Sequence, residues 1–187
     1  MIDNREIIYP LLEFNEGDFY YIHIIRRRKE NKEMPVGAKI IKEYSARSTE
    51  YIDKRWGEIT GLCDYFNARA MININRCSDE GVCLHMLRLL ATQVEGRTYS
   101  GKNLFRSACA KAKISGQKYW LLDVDVEDMP HVDLIEKAVA ECEPNNDVVK
   151  SVPSKSGTHL IAKPFNRTQF EFNLDINKTA FTNLFIP

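Results

Sequence analysis

The sequence predicts a mixed α/β (α+β) fold: one domain built from two modules, residues 1–115 and 116–187. Three observations predict it. The 187 residues are 44% hydrophobic and 28% charged, the balance of a globular protein with one core of ordinary size. Strand-like and helix-like patterns mix along the first half, with no internal repeat and no low-complexity linker. The second half reads β-α-β-β-(α)-β, the order of a small open sheet with helices on one side.

The elements follow in chain order. Asn4 to Phe14 predicts a short helix interrupted by Pro10. Phe19 to Arg28 is rich in aromatic and branched residues and predicts a strand. Asn31 to Gly37 is a turn, and Lys39 to Ala46 the partner strand of a hairpin. Ser48 or Thr49 caps a helix to about Phe66, whose Ile52, Trp56, Ile59, Leu62, Cys63 and Phe66 recur at spacings of three and four. Ala68 to Arg76 alternates apolar and polar residues, the pattern of a half-exposed strand. Ser78 caps a helix from Asp79 to Val94, ended by Gly96, and Lys102 to Ala112 is a third helix. Ser115-Gly116 then turns the chain into the stretch Lys118 to Asp128, a short apolar strand running into acids.

Pro130 opens a helix through Glu141 with Val132, Ile135, Val139 and Cys142 on one side. Strands are expected at Asp147–Val152, Thr158–Lys163 and Thr182–Ile186, with a tight connection at Ser154–Gly157. Asn166 caps a short helix, Arg167–Phe172, and Asn173-Leu174-Asp175 reads as a polar turn.

Net formal charge is zero, but its distribution is uneven. From His23 to Arg47, eight Lys/Arg face three Glu, a balance of +5; from Leu121 to Asp147, nine Asp/Glu face one Lys, a balance of −8. A basic strip and an acidic pocket suit a polyanion held beside a metal. The five cysteines are odd in number and form no Cys-x-x-Cys, which points to free thiols and a cytoplasmic setting. Cys77, Cys83 and His85 match no common zinc spacing and read as a helix carrying buried thiols. No apolar run approaches the roughly 18 residues of a membrane helix, and no signal peptide is evident, so no membrane partner is expected.

The chemistry concentrates in two stretches. In Lys118 to Asp128, which contains Leu121-Leu122-Asp123-Val124-Asp125, strand alternation puts Leu121, Asp123 and Asp125 on one face and Leu122, Val124 and Val126 on the other, the face expected to sit on helices. The two carboxylates then lie roughly 6–7 Å apart along the strand, a spacing suited to sharing divalent cations with substrate phosphates. The second stretch is Ser154-Lys155-Ser156-Gly157-Thr158-His159. Such a turn exposes amides, hydroxyls and an ammonium group, the make-up of an anion nest, and His159 follows at a strand start as a further donor.

Together these stretches resemble the catalytic core of the archaeo-eukaryotic primase (primase–polymerase) superfamily. Leu121 to Asp125 resembles its apolar strand ending in Asp-x-Asp, Ser154 to His159 its Ser/Gly turn ending in His, and Leu174-Asp175 its apolar-Asp motif. The resemblance covers about Leu121 to Asp175. It implies a primase-like nucleotidyltransferase, with an RRM-like sheet carrying the motifs behind a mixed α/β N-terminal module. It further implies Mg2+ or Mn2+ at Asp123, Asp125 and Asp175, and the phosphates of a nucleoside triphosphate at Lys155, Ser156, Gly157 and His159. The implied partners are nucleoside triphosphates, a single-stranded nucleic-acid template and replication proteins. Arg26, Arg27, Arg28, Arg69 and Arg76 are candidate nucleic-acid contacts. Two alternatives stand beside it. One is a metal-dependent nuclease or phosphohydrolase with His159 as proton carrier. The other is a non-catalytic nucleic-acid-binding module in which the acids are incidental.

Overall fold

The computed structural model describes residues 1–187 except Val36, Tyr99, Lys102, Lys113 and 115–117; the expected turn at Ser115-Gly116 lies outside the described residues. The architecture is mixed α+β, with two antiparallel sheets.

The chain opens with strand β1 (Ile2–Asp3) and helix α1 (Arg5–Ile8), which passes into a 3-10 turn (Tyr9–Leu11) at Pro10. Strands β2 (Asp18–Arg27) and β3 (Ala38–Ala46) form the expected hairpin, paired from Tyr20 opposite Ala46 to Arg27 opposite Ala38 with a register shift between Ile24 and Ile25. Tyr20, Ile22 and Ile24 face one core while Phe19 and Tyr21 face another, which explains the nearly continuous apolar run. Helix α2 (Thr49–Phe66) starts where the Ser48 hydroxyl accepts the Tyr51 N–H at 3.1 Å and ends at Asn67, whose φ of 46° is left-handed.

Strand β4 (Arg69–Asn73) is shorter than its alternating pattern predicted, and it is not half-exposed. It is central, between β2 and the last strand, and Arg69 and Asn73 are as buried as Ala70 and Ile72. Its polar face is accommodated by local partners: Arg69 pairs with Glu30, and the Asn73 side chain accepts the Asn75 N–H at 3.0 Å. Strand β5 (Cys77–Ser78) leads into helix α3 (Asp79–Glu95), where the Ser78 hydroxyl accepts the Gly81 N–H. Helices α3 and α4 (Leu104–Lys111) cover the Phe19/Tyr21 face of the larger sheet.

The second half supplies β6 (Trp120–Asp125), α5 (Val132–Glu141), β7 (Val148–Pro153), β8 (Gly157–Ala162), β9 (Asp175–Asn177) and β10 (Phe181–Ile186). Pro130 sits in a 3-10 turn, Met129–His131, just ahead of α5. Three expectations are corrected. The helix at Arg167–Phe172 is only a 3-10 turn, Arg167–Gln169, capped by Asn166. Asp175 begins a short strand paired with β6 rather than closing a polar turn. Strand β10 leaves the second sheet and pairs with β1 and β4 in the larger one. Its Leu184 and Phe185 are fully buried, which a central position in the larger sheet provides.

The smaller sheet therefore has the order β7-β8-β6-β9. Leu122, Val124, Leu160 and Ala162 pack on Ile135 and Val139 of α5. On its other face Leu121, Val152 and Ile161 join Ile22, Ile24 and Ile72 of the larger sheet. Asparagines tie the two sheets together. Asn4 donates to the Pro153 carbonyl at 2.9 Å and the Asn183 carbonyl at 2.8 Å, and Asn75 exchanges hydrogen bonds with the Tyr119 backbone. Among the described residues no helix is long and apolar enough to cross a membrane.

Candidate functional site

The apolar alternation of β6 turns Leu121 inward, so Asp123 and Asp125 emerge on the same face, at the edge of the seam between the sheets. Antiparallel register then places His159 of β8 and Asp175 of β9 directly across from Asp123, on either side. Gly157 lies opposite Asp125. A Cβ at Gly157 would run into the Val124 carbonyl oxygen, so glycine is what allows β8 to approach β6 where the acids emerge.

A cleft of about 560 Å³ opens here. Its floor is Asp123, Asp125 and His159; one wall is Ser154, Lys155 and Ser156 from the β7–β8 turn. The opposite wall comes from the first module: Arg27, Lys29 and Glu30 at the end of β2, and Arg69 from β4. Four basic side chains thus meet three carboxylates. The cleft is not the acidic pocket that the −8 stretch predicted. Most remaining acids of that stretch, among them Glu127, Asp128, Asp133 and Glu141, do not line it, and the hairpin brings cations to the two that do.

His159 is nearly buried and held at both ring nitrogens. Its Nε2 stands 3.4 Å from Asp123 Oδ1, and its Nδ1 is 3.0 Å from the Thr182 hydroxyl of β10. With Nε2–H directed at the carboxylate, Nδ1 accepts from Thr182. The His159 hydrogen bond holds the Asp123 carboxyl below its ordinary value, against the opposing effect of burial, with help from the charges of Arg27 and Lys29. Asp123 is half-exposed, so one side of the carboxylate is anchored while the other meets the cleft.

Arg69 is buried and paired with Glu30, which is itself buried on its side chain. Burial pushes the Arg69 guanidinium down, and Glu30 and Asp123 oppose that push. Its Nε has no hydrogen-bond partner among the described residues.

The expected site residues thus divide. Asp123, Asp125, Lys155, Ser156, His159, Arg27 and Arg69 share the cleft. Asp175 is next to Asp123 in the sheet but is exposed and is not part of the cleft lining. Arg26 is engaged by Asn31 at 2.9 Å and by Glu33, and Arg28 is exposed on the hairpin. Arg76 lies elsewhere: its guanidinium is buried, 3.3 Å from Asp18 and 3.8 Å from Glu13, where it pins the N-terminal segment. Glu30 and Thr182 join the site without a sequence signal. Glu30 merely ends a basic run, and Thr182 sits in an apolar strand.

Among the described residues no three His, Cys, Asp or Glu side chains converge as a metal cluster. The donor set that fits a cation is therefore Asp123 with Asp125, both hard oxygen ligands open to the cleft. That set suits a hard divalent ion which takes its other ligands from water and substrate oxygens. The geometry defines a two-signed site, carboxylates on a rigid strand facing a basic, hydroxyl-bearing turn. Comparison with protein-family models, curated proteins and solved structures finds no match to this chain.

Proposed function

We propose that this chain is a metal-dependent nucleotidyltransferase of primase–polymerase type, transferring nucleotides from triphosphates in the cleft between its sheets. The observation that carries this is the single cleft shared by Asp123, Asp125, the Ser154–Ser156 turn and the Arg27/Lys29/Arg69 wall. The smaller sheet supports it as well. Its order β7-β8-β6-β9 with one crossover helix is in keeping with the split β-α-β arrangement of RRM-like sheets.

Asp123 and Asp125 would hold Mg2+ or Mn2+, which supplies charge neutralisation on the triphosphate and activation of the attacking hydroxyl. The residues of the chain do the rest. Lys155, the Ser156 hydroxyl and the turn amides bind phosphate oxygens. Arg27 and Lys29 neutralise the same anion from the other wall. His159 keeps Asp123 ionised and fixes its orientation. Arg69, paired with Glu30, completes the same wall. Asp175, beside Asp123 in the sheet, is the candidate for an additional acid once substrate is present.

The alternatives fit less well. A proton carrier needs a ring nitrogen free to exchange with substrate, and both His159 nitrogens are already engaged. A binding module would use the open face of the smaller sheet, but Leu121, Val152 and Ile161 seal that face against the larger sheet.

The test is extension of a primed single-stranded template with nucleoside triphosphates and Mn2+. Wild-type protein is expected to extend the primer, and Asp123→Asn or Asp125→Asn to lower the rate at least about a hundredfold. Degradation of the strand without added nucleotides would favour the nuclease. Binding without turnover, indifferent to both substitutions, would leave a non-catalytic module.

A further inference from the structure

Two charged residues of the cleft, Glu30 and Arg69, are held unlike the rest. Arg69 is rooted in β4, a central strand, and its side chain is only 9% exposed; that of Glu30, on the β2–β3 hairpin, is 7% exposed. Both nevertheless line the cleft. Glu30 Oε1 stands against Arg69 Nη2 as an ion pair, yet it accepts no hydrogen bond among the described residues, and the Arg69 Nε–H finds no acceptor among them either. An anion that matches a guanidinium takes two parallel N–H groups at once. Glu30 touches one nitrogen and leaves the Nε–H beside it unanswered, at a depth where an unmade hydrogen bond is costly.

The hairpin does not depend on this pair for its position. Asn31 donates from its side chain to the Asn67 carbonyl at 3.0 Å, and Asn67 donates from its own to the Glu30 carbonyl at 3.1 Å. Those bonds already fix the hairpin tip against the end of α2, just ahead of Arg69. The Glu30 side chain can therefore turn away while its backbone stays, whereas Arg69 is anchored in its strand. A buried ion pair of this kind is a weak source of stability. Its setting gives it another use. Arg27, Lys29 and Lys155 line the same cleft, so an entering polyanion and Glu30 compete for one positive field. A phosphate group presents two oxygens to the Nε/Nη2 edge that Glu30 leaves half used.

We propose that Glu30 is an internal counter-anion, an autoinhibitory stand-in for phosphate that Arg69 exchanges for a phosphate group of the entering triphosphate. The exchange rests on the reading of the cleft as a phosphate site. Arg69 passes from a one-nitrogen contact to a bidentate one, and the displaced Glu30 carboxylate turns out to solvent. No covalent bond changes. Releasing Glu30 weakens the binding of every ligand, and only one with a phosphate to place on Arg69 offsets that loss.

Calorimetric titration of inorganic triphosphate with Mg2+ into the full chain tests this without nucleotide, template or turnover. Glu30→Gln keeps the shape and removes the charge; it is expected to raise the affinity about tenfold, the effect of one charged hydrogen bond. Arg69→Gln should lower it by a similar factor. In the Arg69→Gln background, Glu30→Gln should add nothing. That arm separates exchange from a general loss of negative charge, which would raise affinity equally in both backgrounds. Glu33→Gln, on the same hairpin but outside the cleft lining, should change affinity less than about twofold. Without anion, Glu30→Gln should melt below wild type, since Arg69 is left buried and unpaired, and triphosphate should raise its melting temperature more than that of wild type. Should Arg69→Gln not fold, Arg69→Lys keeps the charge without the fork, and Glu30→Gln should gain there no more than about twofold. Unchanged or weaker affinity in Glu30→Gln, or a gain that persists without Arg69, would overturn the exchange and leave the phosphate reading standing. Failure of inorganic triphosphate and of a nucleoside triphosphate to bind any variant would overturn both.

Discussion

His159 is fixed from two sheets at once: Asp123 beside it in β6 and Thr182 beneath it in β10. Thr182→Val keeps the shape and removes the hydroxyl, so the ring loses its anchor while the core keeps its volume. Triphosphate affinity measured with Mn2+ should fall by roughly 1–2 kcal/mol, since Asp123 is no longer held in place. The melting temperature should fall as well, because the buried His159 Nδ1 loses its partner, a cost of about 1–3 kcal/mol. His23 illustrates the other fate of a buried imidazole. It lies between the rings of Tyr21 and Phe181, and burial, aided by the charge of Arg106, pushes its pKa from 6.5 down to about 4. Between those values the unfolded chain binds a proton that the folded chain refuses. Stability should therefore be full above pH 6.5 and decline as pH falls towards 4, by on the order of 3 kcal/mol in all. Urea unfolding at pH 7 and pH 5 measures this, and His23→Leu should flatten most of the difference. Asp123 shifts in the same direction and its contribution has the same sign, but it is lost only at lower pH: held below its ordinary 3.8, its carboxylate stays charged across that whole window. Neither His159–Thr182 nor the burial of His23 was legible in the sequence. A hydroxyl 23 residues away on another sheet leaves no local pattern, and alternation in β2 is hidden because both faces are buried.

At the scale of elements, the β6–β8 pair positions the acids, and Gly157 sets how closely the pair can approach. Gly157→Ala drives a methyl group into the Val124 carbonyl, so the strands must part beside Asp125. A loss of about 1–3 kcal/mol in denaturant unfolding is expected, with weaker metal binding alongside it. The adjoining turn is closed by its own backbone, the Ser154 N–H donating to the Gly157 carbonyl at 3.0 Å, which leaves the Lys155 and Ser156 side chains to the cleft. Elements with strong periodicity or caps were legible: α2 from Ser48, α3 from Ser78, and the hairpin from its branched residues and Gly37. Short and non-local elements were not. Strand β9 has three residues and no alternation to read, and β10 follows it in sequence yet pairs with β4 more than a hundred residues earlier. The Asp-x-Asp face was legible because Leu122 and Val124 needed the α5 side, but Val126, expected on that same face, lies past the strand end and is exposed.

At the scale of the molecule, the cleft exists only because two modules close on each other. The acids and the Ser/Lys turn come from the second half, while Arg27, Lys29, Glu30 and Arg69 come from the first. The sequence showed the basic strip and the acidic stretch separately; their meeting is a tertiary fact carried by the shared core of Leu121, Ile161 and Ile72. Arg27→Glu should accordingly weaken triphosphate binding about tenfold or more at low salt, and less at high salt, where the exposed part of the field is screened. Arg76→Gln should leave that affinity unchanged while lowering stability, because Arg76 serves Asp18 and Glu13 instead. The most direct measurement is calorimetric titration of a nucleoside triphosphate into the wild type, Asp123→Asn and Asp125→Asn, with Mn2+ and again with a chelator. Metal-enhanced binding in the wild type, reduced in both variants to the level seen with chelator, is the expected result. Affinity that is indifferent to Mn2+, or that survives both substitutions, would contradict a metal–nucleotide site at Asp123 and Asp125.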